Sequence, residues 1–418
     1  MAPPADAGNR RQIALLFATR ALRMFAYGLT SVVLVLHLAA AGISQPRIGL
    51  LLALTLLGDT AVSLLLTTRA DRFGRRRTLL VGAGLMVVAA AAFATSTSFL
   101  LLLLAATVGV LSPSGNEVGP FLAVEQAALS QEVDPGRRTS IFAWYQLTGS
   151  MATAAGSLCG GALVEGLERA GLSALASYRG VSVGYGLVGL LLAALFLRLS
   201  SAVEPPPRRE GASSPRAVLG LHRSRAIVWR LSGLFALDAF AGGLVVQSYV
   251  AYWFHARFGA EPATLGAIFF GANVLAGLSA LSAAAIARRI GLVKTMVVTH
   301  LPSNVLLALV PLMPTLSLAI AVLLLRFSIS QMDVPTRQSY TMAVVEPDER
   351  SAAAGVTGMV RTVGAGLAPL AAGPLYATAA LASVPFLLSG GLKIVYDLIL
   401  WWGFRAVRPP EERVAAGP

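Results

Sequence analysis

The sequence contains few charged residues, one cysteine and almost no lysine. Charged side chains make up 13% of the 418 residues and hydrophobic side chains 56%, a balance that excludes an intrinsically disordered chain. The single cysteine, Cys159, excludes a disulfide scaffold. The sequence shows no phosphate-binding loop, metal-ligand cluster or nucleophile arrangement. We therefore expect no enzyme activity, no metal, no cofactor and no ATP-driven pump.

Long apolar runs make up most of the chain. Twelve of them approach or exceed the length of about 20 residues that a helix needs to cross a bilayer. Numbered as spans 1 to 12, their approximate limits are 13–39, 47–68, 78–98, 100–129, 139–163, 181–199, 228–254, 264–287, 292–313, 315–342, 352–376 and 380–403. The runs are apolar on all sides, which favours an all-α integral membrane protein over a soluble helical protein.

The net charge of +13 could indicate a nucleic-acid-binding protein, but the positions of the basic residues argue against this interpretation. One side of the predicted spans is flanked only by Arg47, Arg169, Arg179 and Arg257, whereas most other basic residues flank the opposite side. Basic residues gather on the cytoplasmic side of membrane proteins. We therefore expect a multi-pass protein of the inner or plasma membrane, with both termini cytoplasmic and no nucleic-acid partner.

The longest predicted loop divides the spans six and six. It covers residues 200–227 and contains Pro205–Pro207 followed by two arginines, a composition typical of a linker. This division predicts an N-terminal six-helix half (1–199), a cytoplasmic linker (200–227) and a C-terminal six-helix half (228–418).

Short segments recur in the same order in both halves. Two such matches are DPGRRTS at Asp134–Ser140 with EPDERSA at Glu346–Ala352, and FAYGL at Phe25–Leu29 with FAGGL at Phe240–Leu244. These matches predict a duplicated six-span unit. The same alignment places Asp238 at the position of Arg23, so one position carries opposite charges in the two halves.

Between spans 2 and 3, Ala70–Arg77 reads ADRFGRRR. This segment, with the duplicated unit and the central loop, resembles the major facilitator superfamily over essentially the whole chain. Two nearby positions depart from the family's motif, which usually has Gly at Thr67 and Leu at Arg69. The resemblance implies twelve transmembrane helices in two pseudo-symmetric six-helix bundles. It also implies a monomeric transporter in the lipid bilayer that moves a small-molecule substrate by alternating access.

The resemblance further implies a gating role for this loop motif, which latches the two halves in the family's outward-open state. The residues concerned are Asp71, Arg72, Gly74, Arg75 and Arg76, and Glu125 is a carboxylate that we expect Arg75 to reach. A basic loop flanking the membrane would explain the arginines but not the embedded Asp and Gly.

Span 5 contains a run of small residues that includes Gly156, Gly160 and Gly161. The run is similar to the antiporter motif of the same family, in which Ser157 would be proline. The resemblance implies export by exchange. Close packing of membrane helices through small residues is an equally good interpretation.

Ionisable residues inside membrane spans are costly and are therefore functional candidates. The resemblance places spans 1, 4, 7 and 10 around the central cavity. The proton-coupling candidates are Glu117, Asp59, Asp238 and Asp333. Glu117 ranks first because it lies among prolines and glycines that should break span 4 near its middle. The alternative is a kink that serves only the rocking motion of the halves. The substrate-binding candidates are Arg23, Asn116, Arg326, Arg361 and Gln247.

Two pairings can be predicted between these charges. Arg23 and Asp59 lie at similar depths in adjacent antiparallel spans, so we expect an ion pair between them, with Arg20, one helical turn away, as the competing partner of Asp59. Lys393 and Asp397 are four residues apart in span 12, which favours a structural pair along one helix face.

Together, these features favour a secondary active transporter that exports a small organic solute, a drug or a metabolite, in exchange for protons. The alternative is a proton symporter or a uniporter that takes up an anionic metabolite, since Arg23, Arg326 and Arg361 would suit an anion. A non-transporting membrane receptor is the least favoured interpretation, because it would need a large soluble domain or a long tail.

Overall fold

In a computed structural model of the protein, residues 5–133, 138–200, 204, 221, 223–346 and 349–405 are described. In the first half the helices are α1 (Ala5–Ser31), α2 (Leu34–Ala40), α3 (Gln45–Phe73), α4 (Arg75–Thr95), α5 (Phe99–Val108), α6 (Phe121–Glu132), α7 (Arg138–Arg169) and α8 (Ala174–Leu197). In the second half they are α9 (Arg225–Gly243), α10 (Gln247–Phe258), α11 (Pro262–Ile290), α12 (Leu292–Leu309), α13 (Leu316–Phe327), α14 (Asp333–Ala343), α15 (Arg350–Tyr376) and α16 (Val384–Phe404). A short 3-10 turn, Val310–Leu312, follows α12.

Each of the twelve predicted spans is occupied by one or two of these helices. Among the described residues, nine helical stretches are long and apolar enough to cross a membrane, and α5 and α13 are shorter apolar helices. Many large apolar side chains on them are exposed, including Leu104, Leu187 and Trp402. Exposed apolar side chains on long helices are what contact with lipid requires. The fold is therefore that of an all-α integral membrane protein.

Span 4 is broken as the sequence predicts. Helix α5 ends at Val108 and α6 begins at Phe121, and the segment between them contains Pro113 and Pro120. Gly115 and Gly119 within it have φ values of 71° and 80°, a backbone conformation that glycine adopts without steric cost. Span 10 is also broken, between α13 and α14, a feature that the sequence analysis did not predict.

The contacts divide the chain into two compact units. The first consists of Met1–Ser213 with Gln247–Phe270, and the second of Ser214–Val246 with Gly271–Pro418. Within the first unit, α1 packs along α7 and α4 along α8; within the second, α9 packs along α15 and α12 along α16. In span numbers, the pairs 1–5 and 3–6 recur as 7–11 and 9–12. The same pairs of spans therefore pack together in both units, as expected for a sequence repeat.

Candidate functional site

The first unit contains a buried group of charges centred on Arg23 in α1. The Arg23 guanidinium donates from Nε to Glu117 at 2.7 Å, and from its two terminal nitrogens to the two carboxylate oxygens of Glu125 at 2.8 Å each. Arg20, one turn earlier, donates to the other Glu117 oxygen at 2.8 Å and to Gln146 at 2.8 Å. Two arginines and two glutamates therefore form one connected, charge-balanced network, which we call the first charge cluster.

Glu125 is the most enclosed member of the first charge cluster. Its side chain is fully buried, as is that of Arg23. It also accepts a hydrogen bond from Thr19 at 2.8 Å and one from the hydroxyl of Tyr145. A buried carboxylate with this many donors holds its neighbours in one arrangement.

Glu117 differs from Glu125 in its backbone and in its exposure. It lies in the non-helical segment between α5 and α6, and 15% of its side chain is exposed. Both of its oxygens bind arginine. Glu117 is therefore the less enclosed carboxylate of this cluster.

The predicted ion pair between Arg23 and Asp59 is wrong. Arg23 pairs with Glu117 and Glu125, whereas Asp59 accepts the backbone N–H of Gly119 at 2.6 Å. Asp59 thus anchors α3 to the broken part of span 4, because the interruption of a helix leaves backbone N–H groups without intrahelical partners.

The second unit contains its own buried group of charges, centred on Asp238 in α9. One oxygen of Asp238 lies 2.5 Å from the Lys393 ammonium, and the other lies 2.9 Å from Arg337. Arg337 also lies 3.2 Å from Asp333, one helical turn before it. All four side chains are at least nine-tenths buried.

His300 and Asn304 on α12 extend this group to Asp397 on α16. Nδ1 of His300 lies 2.8 Å from Asp397, and the Asn304 amide donates to the other Asp397 oxygen at 2.8 Å. The predicted pairing of Lys393 with Asp397 is therefore wrong, since Lys393 binds Asp238 on another span. We call this larger group, from Asp238 to Asp397, the second charge cluster.

Arg326 and Arg361 lie near the second charge cluster. Among the described residues, neither has a carboxylate within ion-pair distance, and the Nε atom of each is buried without a hydrogen-bond partner. The charges of Asp238 and Asp333 act on both arginines. Positive charge is therefore in excess around these two side chains.

Two of the substrate-binding candidates are amides of the first unit. Gln247 donates to the hydroxyl of Ser31 at 2.8 Å and to that of Ser157 at 3.3 Å. Ser157, which replaces the proline of the family motif, is itself fully buried. Asn116 is exposed and lies next to Glu117 in the break of span 4.

The loop motif lies between α3 and α4. Gly74 has a φ of 105° at the junction, and the N–H groups of Arg75 and Arg76 donate to Glu204 at 2.7 and 3.1 Å. The Arg75 side chain donates to Gln131 at 3.0 Å. The expected pairing of Arg75 with Glu125 is not what the structure shows, because Glu125 binds Arg23.

The side chains of the two remaining members of the motif, Asp71 and Arg72, lie outside those that the structure describes.

The glycines of span 5 are sites of close helix packing. A Cβ atom at Gly156 would lie 2.0 Å from the carbonyl oxygen of Phe25 in α1, and one at Gly161 would lie 2.1 Å from that of Pro262 in α11. Gly160 faces Leu29 of α1 in the same way. A larger residue at these positions would force the helices apart.

Several residues of these clusters were missed by the sequence analysis. His300 and Asn304 are spaced i, i+4 in span 9 and share one helix face, a signal that could have indicated a polar site. Tyr145 and Gln146 of the first charge cluster's surroundings, and Glu204 beside the loop motif, carry no comparable signal, because none of them belongs to a recognisable sequence motif.

Comparisons with known proteins agree with this architecture. The family model of the Major Facilitator Superfamily matches residues 16–369. An uncharacterized membrane protein of Saccharomyces cerevisiae (strain ATCC 204508 / S288c), YJR124C, is 31% identical over 418 residues, covering 93% of each chain.

Two solved structures show the same fold. The nucleoside transporter NupG superposes with a TM-score of 0.71 at 13% identity, covering 94% of this chain and 99% of its own. The human organic anion transporter MFSD10 (TETRAN) superposes with a TM-score of 0.60 at 19% identity, covering 96% and 100%. With the family match along most of its length, the chain belongs to the Major Facilitator Superfamily.

Proposed function

We propose that the protein is a proton-coupled secondary transporter that exports a small organic solute in exchange for protons, with Glu117 as the coupling carboxylate. The observation that carries the proposal is the position of Glu117. It bridges Arg20 and Arg23 and is the partly exposed carboxylate of an otherwise buried cluster.

Protonation of Glu117 would change the charge balance of the first cluster in a defined way. Arg23 would keep Glu125 as its partner, but Arg20 would keep only the neutral Gln146 and the ring of Tyr145, 4.5 Å from its guanidinium carbon. A buried arginine without a carboxylate is unstable. Proton binding therefore favours an arrangement in which Arg20 finds water or a substrate group, and this links the proton to the transport cycle.

The available energy is sufficient for export. A proton that moves down a potential of about 100 mV releases about 2.3 kcal/mol. This energy supports a concentration ratio of roughly fifty for a neutral solute exchanged one for one.

A second candidate function is uptake of an anionic metabolite by proton symport or by uniport. Arg326 and Arg361 favour it, because both lack a carboxylate partner among the described residues. Arginine binds carboxylate and phosphate groups in a bidentate geometry. The solute would then neutralise the excess positive charge of the second unit.

The orientation and assembly of the protein form part of the same proposal. We place it as a monomer in the inner or plasma membrane, with both termini and residues 200–227 in the cytoplasm. The uneven distribution of basic residues along the sequence supports this orientation. The loop motif, including Asp71, Arg75 and Gly74, acts in gating, and the glycines of span 5 act through close helix packing.

The experiment is a proteoliposome assay with a pH-sensitive dye inside the vesicles. A nucleoside, an organic acid and a cationic dye are added outside in turn; the first two are chosen because NupG is a nucleoside transporter and MFSD10 an organic anion transporter. Exchange for protons makes the vesicle interior more alkaline as solute enters, symport makes it more acidic, and uniport carries no proton with the solute.

The role of Glu117 is tested in the same vesicles with the variant Glu117→Gln. We expect pH-driven accumulation to be lost while solute exchange at equal pH is retained. The matched control is Glu165→Gln, which removes a glutamate whose ion-pair partner, among the residues that the structure describes, is the exposed Arg169 in α7. Wild-type accumulation by Glu117→Gln, with unchanged pH dependence, would show that Glu117 is not the coupling residue.

A further inference from the structure

We propose that His300 is a second proton-binding site and that its protonation competes with Lys393 for Asp238. The proposal rests on the two contacts of one carboxylate oxygen of Asp238. Oδ1 of Asp238 lies 2.5 Å from the Lys393 ammonium and 3.8 Å from Nε2 of His300. A lysine on span 12 and a histidine on span 9 therefore face the same carboxylate oxygen on span 7.

The other side of the imidazole is fixed by hydrogen bonds. Nδ1 of His300 lies 2.8 Å from Asp397 and 3.1 Å from the Asn304 amide. An N–H on Nδ1 would donate to Asp397, whereas a bare Nδ1 would accept from Asn304 or from a protonated Asp397. The site therefore accommodates the ring with or without a proton on Nδ1, while Nε2 stays directed at Asp238.

Charged groups surround His300 on each helix that packs against it. Span 7 contributes Asp238, and span 10 contributes Arg337, which binds the other Asp238 oxygen and Asp333. Span 12 contributes Lys393 and Asp397. It also contributes Tyr396, whose ring is perpendicular to that of His300, with 5.8 Å between the two ring centroids.

The charges of these groups do not cancel. Arg326 and Arg361 add two positive charges that act on Asp238. The second charge cluster and these two arginines therefore hold more cations than carboxylates before His300 gains a proton, so a protonated His300 needs Asp238 and Asp397 as partners.

Protonation exchanges one interhelical ion pair for another. A hydronium ion adds its proton to the bare ring nitrogen, leaving water, and the neutral imidazole becomes an imidazolium ion. Asp238 Oδ1 then has two cations competing for it, and the contact between spans 7 and 12 through Lys393 weakens as the contact between spans 7 and 9 through His300 strengthens. Loss of the proton reverses the exchange.

This inference goes beyond the proposed function, because Glu117 belongs to the other charge cluster. The test does not depend on transport, so the two proposals can fail separately. It uses the full-length protein in detergent micelles, labelled with nitrogen-15 in the histidine rings only. The chain has four histidines, and the ring signals that disappear in His300→Gln are those of His300. His255→Gln serves as the matched assignment control.

The informative variant is Lys393→Met, which removes the competing cation and keeps a side chain of similar length. Lys294→Met, at the other lysine of the sequence, is the matched control and lies at an exposed position of α12. Ring nitrogen signals, which distinguish neutral from doubly protonated imidazole, are followed from about pH 8.5 to about pH 5.

We expect the midpoint of His300 protonation in Lys393→Met to move toward higher pH by about one unit or more, a tenfold change in proton affinity. The midpoint in Lys294→Met should stay at the wild-type value. Asn304→Leu is a second variant, which removes the amide beside Nδ1 and leaves all charges in place. In this variant the ratio of His300 rings protonated on Nδ1 to rings protonated on Nε2 should differ from that of the wild type. A His300 ring that keeps one protonation state in both wild type and Lys393→Met, or a midpoint that Lys393→Met leaves unchanged, would overturn the proposal.

Discussion

Substitution of Glu125 by glutamine should destabilise the first unit strongly. The change keeps the shape of the side chain and removes its negative charge. The carboxylate is fully buried and accepts from both terminal nitrogens of Arg23, from Thr19 and from Tyr145. A glutamine amide has one acceptor oxygen and directs its NH2 group at a donor. Arg23 and Arg20 would then share the single carboxylate of Glu117.

The expected magnitude follows from the cost of breaking a buried ion pair. Removing one partner of such a pair costs about 3 to 5 kcal/mol, because the remaining charge stays buried without compensation. For a unit of about 240 residues, each kcal/mol lowers the unfolding temperature by about 2 to 4 °C. Glu125→Gln should therefore lower that temperature by about 6 to 20 °C.

Thermal unfolding in one detergent, followed by tryptophan fluorescence, measures the effect. The matched control is Glu165→Gln, where the partner Arg169 is 78% exposed and the expected loss is below about 1 kcal/mol. The double variant Arg23→Gln with Glu125→Gln should recover part of the stability, because it leaves neither charge stranded. An unfolding temperature for Glu125→Gln that equals that of Glu165→Gln would refute the reasoning.

Two further predictions concern gating and topology. Replacing Asp71 by Asn together with Arg75 by Ala should leave expression near normal and impair transport, since the change removes charge interactions at a latch and not a packing contact; full transport activity in the double variant would contradict the gating role. A reporter enzyme that is active only in the cytoplasm should be active when fused after residue 215, because basic residues flank the side of the spans on which this residue is predicted to lie. Activity at the same position of a reporter that works only outside the cytoplasm would reverse the orientation.

The positions of the spans could be predicted from the sequence because length and uniform apolarity determine them. The break in span 4 was also predictable, since Pro113, Gly115 and Pro120 disfavour a continuous helix. The break in span 10 has a weaker signal. Residues 328–332 contain neither proline nor glycine, and Pro335 lies in the first turn of α14, where a helix tolerates it.

The ion-pair partners could not be predicted from depth alone. A rise of about 1.5 Å per residue gives the height of a side chain in the membrane but not the direction in which it points around its helix. Arg23 and Asp59 match in height, yet Arg23 faces span 4. The spacing of Arg20 and Arg23 was the better signal, because residues three apart share a helix face, and both bind Glu117.

The two charge clusters are related by the internal repeat with their signs reversed. In the first unit a cation on span 1, Arg23, binds two carboxylates of span 4. In the second unit Asp238, at the equivalent position of span 7, binds cations on spans 10 and 12. A duplicated unit starts from identical residues, so a change of sign at this position alone would have stranded buried partners at a cost of about 3 to 5 kcal/mol.

The partners must therefore have changed together with the central residue. Both units therefore have a buried ion pair at this position, with the positive charge on the central residue in the first unit and on its partners in the second. The first cluster is charge-balanced through Glu117, a carboxylate that a proton can neutralise. With Arg326 and Arg361 counted, the second charge cluster has one more cation than carboxylates, so the uptake of an anion proposed above as the second candidate function would use the second unit and not the first.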